Sequence, residues 1–518
     1  MTEYLLAIDN GTQSVRAILF DKSGEIFAKE RIEFPPYVSE KPGWAEQDCE
    51  VYWNALGLAC RNLWEHGADP KSVKAVALTT QRATVVNVDR NGRPLRPAIV
   101  WLDQRRTDDV PPMSGPYGVL FRVLGAHDLI RSFQLETEAN WIARHQPEIW
   151  QKTDRYLLLS GFLNFRLTGE FKDSTGSQVG YLPFDYKGHC WAQPSDFKWK
   201  LAPFDAAKLP ELVKPGERIG TITNSASEHT GVPVGVPVIA AAADKACEVL
   251  GCGALDSSIA CLSYGTTATI NLTSQKYIEP RPLLPAYPAA VAGAYNLEEQ
   301  IFRGFWMVTW FKQEFGQKEE SLGRDRNVSA ESLFDELLKE APPGSMGLML
   351  QPFWSPGVRE PGPEAKGAII GFGDVHRRSH VYRAIIEGLA YALRAGKEHL
   401  ERRTGTLVSD VRIAGGGAQS DMVMQITADI FGTSVTRPHI YEASGLGAAI
   451  NAAIGIGWYP SYSSAVAAMT RKGKTFDPDP VVHKMYDRLY HEVYGHMYHQ
   501  LKPLYQRIRA ITGYPPPL

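Results

Sequence analysis

At 518 residues the chain is longer than one hydrophobic core usually serves, so two large domains are expected. A formal net charge of −2, with 44% hydrophobic and 22% charged residues, describes an ordinary globular protein and argues against nucleic acid as the main partner. No run reaches the ~18 uninterrupted apolar residues of a membrane helix and no basic segment precedes the first strand, so neither a membrane partner nor a secretory signal is expected.

The chain opens on an apolar run of strand length over 5–10. It ends in the turn Gly11-Thr12-Gln13-Ser14, and a second strand-like run follows over 15–20. A hairpin whose tip is small and hydroxyl-bearing lets backbone N–H groups and Thr hydroxyls approach phosphate oxygens. A third strand is expected over 25–34. Asp48 then caps a helix over 51–64, where Tyr52, Leu56, Ala59 and Leu63 share one face. Residues 73–78 and 84–88 read as strands, and the turn Asn91-Gly92 leads to another at 98–101. Three early strands followed by alternating helices and strands describe an α/β layer structure.

From 110 to 230 the pattern is less regular. A helix is expected over 135–145, and Asp173-Ser174-Thr175-Gly176-Ser177 reads as a polar surface connection. Residues 232–243 form a buried strand that delivers Asp244. About 250 residues after the first hairpin its shape returns: an apolar run over 259–264, the tip Gly265-Thr266-Thr267, and a second run over 268–272. Helices are expected over 331–340 and 381–403. A strand at 411–414 then feeds Gly415-Gly416-Gly417-Ala418 into a helix that starts at Ser420 or Asp421. Such a step suits close approach to a nucleotide. Ala443-Ser444-Gly445-Leu446-Gly447 opens an Ala-rich helix, and the tail from about 477 reads as an amphipathic helix on the surface. Six cysteines, at 49, 60, 190, 247, 252 and 261, form no Cys-x-x-Cys pair, which points to a reduced, cytoplasmic protein without zinc chemistry.

Several side chains carry chemistry in this pattern. Asp9 fits either a carboxylate near Mg²⁺ or an Asx-turn residue of its own hairpin. Asp244, at the carboxyl end of a buried strand, fits a general base for an attacking hydroxyl or an N-cap of the following helix. Gln81 and Arg82 offer donors to sugar hydroxyls, and Trp101 offers an apolar face.

Taken in order, these pieces resemble the FGGY carbohydrate kinases, within the wider sugar kinase, heat-shock chaperone and actin superfamily. The resemblance runs through Asp9-Asn10-Gly11-Thr12, Gly43 to Asp48, Gln81-Arg82 with Ala98 to Asp103, Asp244, Tyr264 to Thr267, the 367–387 signature, and Gly415 to Asp429. It implies an α/β fold of two ribonuclease-H-like, actin-like ATPase domains flanking a deep catalytic cleft. The first, 1–254, would carry the sugar site and the base. The second, 255–518, would carry ATP and the helical tail. The resemblance further implies Asp244 as catalytic base, Asp9 and Asp244 near Mg²⁺, and Gln81, Arg82, Trp101, Asp244 and Lys245 around the substrate. ATP phosphates would meet Gly11, Thr12, Gln13, Arg16, Gly265, Thr266 and Thr309, with Gly416, Gly417 and Asp421 at the nucleotide. The expected reaction is ATP-dependent phosphorylation of a small sugar or polyol, with room for a homodimeric assembly.

The pattern departs from the family's signatures at Leu135, Glu138 and Phe372, and from named relatives around the substrate. Glycerol kinases carry Glu where this chain has Ala83, and Gln where it has Lys245; the Met-His-Gly stretch of xylulokinases near 81–83 is absent. Loss of a carboxylate at Ala83 adds room, so a ketopentose such as xylulose or ribulose, or a four- or five-carbon polyol, is expected ahead of glycerol. Lys245 is expected either on substrate oxygens or in solvent. A non-catalytic, chaperone- or filament-like nucleotide-gated protein is the rival from another class.

Overall fold

The computed structural model describes residues 3–515 apart from 109 and 358–360. The first hairpin pairs β1 (Tyr4–Asn10) with β2 (Ser14–Phe20), and β2 continues into β3 (Ile26–Glu33). Helix α1 (Cys49–Glu65) follows, with Asp48 as its N-cap accepting from the Glu50 N–H. Strand β4 (Val73–Thr80) lies parallel to β1; β5 (Arg218–Thr221) and β6 (Pro237–Ala243) complete the sheet in the order β5-β6-β4-β1-β2-β3. Helix α2 (Asp244–Gly251) starts directly from β6.

The second half repeats this plan. Strands β7 (Ile259–Tyr264) and β8 (Ala268–Ser274) form the second hairpin, followed by β9 (Tyr287–Pro288) and β10 (Tyr295–Ile301). Then come α3 (Trp306–Phe315), the long α4 (Arg378–Thr404), β11 (Asp410–Ala414), α5 (Asp421–Phe431), β12 (Val435–Pro438), α6 (Ala443–Gly455) and β13 (Lys472–Phe476). The sheet order is β9-β10-β8-β7-β11-β12-β13. Both sheets thus run antiparallel, antiparallel, parallel, parallel, antiparallel from β3 and from β10. The fold is α/β with two such halves, as expected.

The continuous apolar runs of the first sheet have a packing cause. On one face Leu6, Ile8, Val15 and Leu19 pack against Tyr52, Leu56 and Leu63 of α1. On the other, Leu5, Ala7, Ile18 and Phe20 pack against Leu446, Ala449 and Ile450 of α6. A sheet covered on both faces needs apolar side chains at odd and even positions alike. The second face is therefore closed by a helix from the far half of the sequence.

Three local expectations are corrected. The helix expected over 135–145 is two, His127–Glu136 and Glu138–His145, parted at Thr137, whose extended backbone (φ −65°, ψ 118°) breaks the turn while its hydroxyl bonds the Phe133 carbonyl. The polar stretch 173–177 is buried, not a surface connection. Asp173 accepts there from Ser160 Oγ at 2.7 Å, Gln178 Nε2 at 2.8 Å, Asn164 Nδ2 at 3.2 Å and the Ser174 N–H at 2.8 Å, and these donors offset its burial. The tail is also more than a surface helix: Tyr486, Tyr490, Tyr494 and Met497 join the second core, and Tyr486 donates to Glu387 Oε1 at 2.6 Å. No helix among the described residues is long and apolar enough to cross a membrane.

Candidate active site

Parallel pairing aligns the residues that matter. Asn10 pairs with Thr80 and Thr80 with Ala243, so Asp9-Asn10, Gln81-Arg82 and Asp244 leave the carboxyl ends of three adjacent strands. In open α/β sheets that edge is where ligands bind. In the second sheet Ser263 pairs with Ala414, which sets the hairpin tip at Gly265 beside the glycines at 415–417.

At the first edge, Asp9 accepts from Arg16 Nη1 at 2.9 Å. Burial pushes its carboxyl up to about 6, against the Arg16 charge and with help from the nearby negative charge of Asp244. Arg16 also lies 3.5 Å from Glu442, the N-cap of α6, so its guanidinium joins the two halves. The Gly11 N–H closes its turn on Ser14 O at 3.0 Å, and the Gln13 carbonyl accepts from Phe34 N–H. Thr12 accepts from Trp101 Nε1 at 3.0 Å, which holds the indole against the tip of the first hairpin.

Gln81 donates to Tyr52 OH at 3.2 Å, while its Oε1 is buried without a partner. Both side-chain polar atoms of Asn10 are likewise buried and unpaired among the described residues. Buried polar atoms without partners are costly, and these lie at the carboxyl edge of the first sheet. Ala83 next in line has φ +54°, a left-handed backbone that a non-glycine residue keeps at a cost of about 1–3 kcal/mol. Gly180 (φ +158°) packs opposite: a Cβ there would stand 3.7 Å from Ala83, in van der Waals contact.

Asp244 occupies the first turn of α2, one place past the N-cap Ala243, and its Oδ1 accepts from the Lys245 N–H at 2.7 Å. Burial pushes its carboxyl up, opposed by the charges of Lys245 and Arg82. Lys245 is engaged within the protein, not in solvent. Its Nζ donates to Glu248 Oε2 at 2.9 Å and to Ser263 Oγ, and it lies 3.9 Å from where a Cβ on Gly265 would be. The residue after Asp244 therefore reaches the second hairpin.

Around that hairpin, Gly265 and Thr266 present carbonyls to the N–H groups of Phe305 and Trp306 at the start of α3. Thr266 and Thr309 are exposed. Gly415 (φ +86°) packs against the Tyr264 backbone, where a Cβ would come within 2.8 Å; Gly417 is closed off by the Phe305 ring. A Cβ on Gly416 would meet nothing within 4 Å, so the exposed glycine turn is open at that residue. Ser420 caps α5, with Asp421 behind it. The Asp421 carboxylate is held below its usual range by hydrogen bonds from Lys474 and Arg437.

One feature had no local signal in the sequence. Arg82 extends to Glu298 on β10, in the other half of the chain, Nη1 to Oε2 at 3.3 Å and Nη2 to Oε1 at 3.1 Å, with its guanidinium 5.3 Å from the Tyr287 ring centre. The two partners are 216 residues apart.

Comparison with known proteins gives the family and the fold. The model of the FGGY family of carbohydrate kinases, N-terminal domain, matches residues 4–251, and that of the C-terminal domain matches 260–456. The chain is 28% identical over 492 residues to a xylulose kinase of Staphylococcus epidermidis, covering 94% of this chain and 95% of that one. It is 30% identical over 490 residues to a glycerol kinase of Dechloromonas aromatica, covering 92% and 93%. The crystal structure of xylulose kinase from Rhodospirillum rubrum shares the fold, with a TM-score of 0.80 at 24% identity over 97% of this chain and 100% of that one.

Proposed function

Because the chain belongs to the FGGY family of carbohydrate kinases, a group of phosphotransferases, we propose that it moves the γ-phosphoryl group of ATP to a hydroxyl of a four- or five-carbon ketose or polyol. The observation that carries this reading is the convergence of unpaired buried Asn10 and Gln81 atoms, Arg82 and Asp244 on one strand edge, with Lys245 tying that edge to the second phosphate hairpin. Donors and acceptors on the first edge suit a polyhydroxy acceptor. The small-residue tips at Thr12 and Thr266, with the open turn at Gly416, suit a nucleotide.

In this reading Asp244 takes the proton of the attacking hydroxyl as that oxygen bonds to the γ-phosphorus and ADP leaves. Gln81 and Arg82 hold the acceptor's other oxygens, and Trp101 covers its carbon skeleton. Asp9, buried, and Asp244, half-buried, at the carboxyl ends of two strands with β4 between them, have the donor type that Mg²⁺ takes when it keeps water and phosphate ligands. The cation would neutralise charge on the phosphates.

The test is a coupled ADP-release screen over glycerol, erythritol, xylulose, ribulose and gluconate. Turnover of a ketopentose or a longer polyol above glycerol is expected; preference for glycerol would instead align the chain with its glycerol kinase relatives, and a flat panel would count against the reading.

A pH dependence follows from the charges around Asp244. The base must be ionised, and burial raises its pKa, so the acid limb of kcat/KM lies above the ordinary aspartate range. The Lys245 ammonium favours the ionised form. Lys245→Gln therefore shifts the limb to higher pH, read from kcat/KM profiles of both proteins; an unmoved limb would assign it to another group.

A further inference from the structure

Arg82, with only 19% of its side chain exposed, needs a counter-charge, because an uncompensated guanidinium largely out of water is strongly destabilising. Position 83, beside Arg82, holds alanine and provides none. The chain provides it from the other half: Glu298, with a side chain only 4% exposed, meets the Arg82 fork with both oxygens. Bidentate pairing fixes the plane of the guanidinium as well as its charge. Tyr287 borders the same guanidinium and packs edge-on against Tyr186 of the first half, whose hydroxyl donates to the Gly180 carbonyl across from Ala83. Nearby, Tyr295 OH donates to the Lys187 carbonyl at 2.7 Å, a second bond between the halves on the same strand as Glu298.

We propose that Glu298 is the positioning residue for Arg82, so that the acceptor pocket on the first half is complete only when the second half supplies its carboxylate. Glu298 then sets acceptor affinity without touching the nucleotide, and its pairing couples acceptor binding to the apposition of the halves. The inference rests on the reading of Arg82 as an acceptor contact.

The test uses the full-length enzyme and the best acceptor from the screen. Glu298→Gln keeps shape and removes charge; loss of a charge-assisted pair predicts a ~10- to 100-fold rise in acceptor KM. KM for ATP stays near the wild-type value and kcat falls less than KM rises. Adding Ala83→Glu to Glu298→Gln returns a carboxylate to Arg82 from its own half and lowers acceptor KM again, which a merely structural loss would not allow. An acceptor KM unchanged in Glu298→Gln overturns the proposal. If Glu298→Gln does not fold, Glu298→Asp carries the test: it keeps the charge but is one methylene too short to meet both guanidinium nitrogens, so acceptor KM rises while KM for ATP holds, and no change there is equally fatal. Absence of turnover with any acceptor in the wild-type enzyme would instead sink the underlying reading.

Discussion

Asp244→Asn lowers kcat for phosphoryl transfer by ~10²- to 10⁴-fold, the contribution of a positioned general base, while the Kd for ATP stays close to that of the wild type. The asparagine keeps the Asp244 shape and still accepts from the Lys245 N–H, so the first turn of α2 is retained. What disappears is the proposed proton acceptor at the carboxyl end of β6. A burial-raised pKa brings that acceptor nearer the operating pH, where a base has the best balance of ionisation and proton affinity. Measurement of kcat by ADP release and of ATP affinity by calorimetry separates the roles. Near-normal turnover would remove Asp244 from the base position. ATP binding without phosphorylated product in the wild-type protein would favour the non-catalytic, nucleotide-gated alternative.

Much of the fold is legible in the sequence, for a physical reason. Both hairpins at 4–20 and 259–274 pair neighbours in sequence, and their Gly-Thr tips mark the turn chemistry directly. Asp244 was legible because a doubly covered parallel strand reads as an unbroken apolar run, and the first charged residue after it marks the sheet edge. The remainder depended on contacts with no local period. Nothing around Arg82 points to Glu298, since ion pairing between residues 216 apart leaves no trace in either neighbourhood. The stretch at 173–177 read as surface because its residues are polar, yet Asp173 gathers four donors and lies under β6. Lys245 showed its residue type but not its destination: the choice between substrate, solvent and Glu248 was made by where β7 placed Ser263.

The joint between the halves is the second place where a small change is expected to have a large effect. Helix α2 ends the first half, and α6 returns from the second to lie across it and across the first sheet. The two helices touch backbone to backbone. A Cβ on Gly447 would fall 1.9 Å from the Cys247 carbonyl oxygen, and one on Gly251 would fall 1.9 Å from the Ala443 carbonyl oxygen. Neither obstacle is a flexible side chain, so a substituent at 447 must push whole helices apart and open the Leu446, Ile450 and Ile239 packing beneath. Gly447→Val is therefore expected to destabilise by about 3 kcal/mol or more, at the upper end of overpacking costs, with Gly447→Ala intermediate. Because α2 begins at Asp244 and α6 at the Glu442 cap that holds Arg16, any displacement also moves the proposed base and phosphate turn, so kcat falls with the melting temperature. Gly495→Ala is the control: its Cβ would meet only Tyr490 O at 3.4 Å, and the melt is expected to stay at or slightly above wild type. A Gly447→Val protein that melts with the wild type would mean the helices separate freely, and the crossing could not be the rigid joint between the two halves.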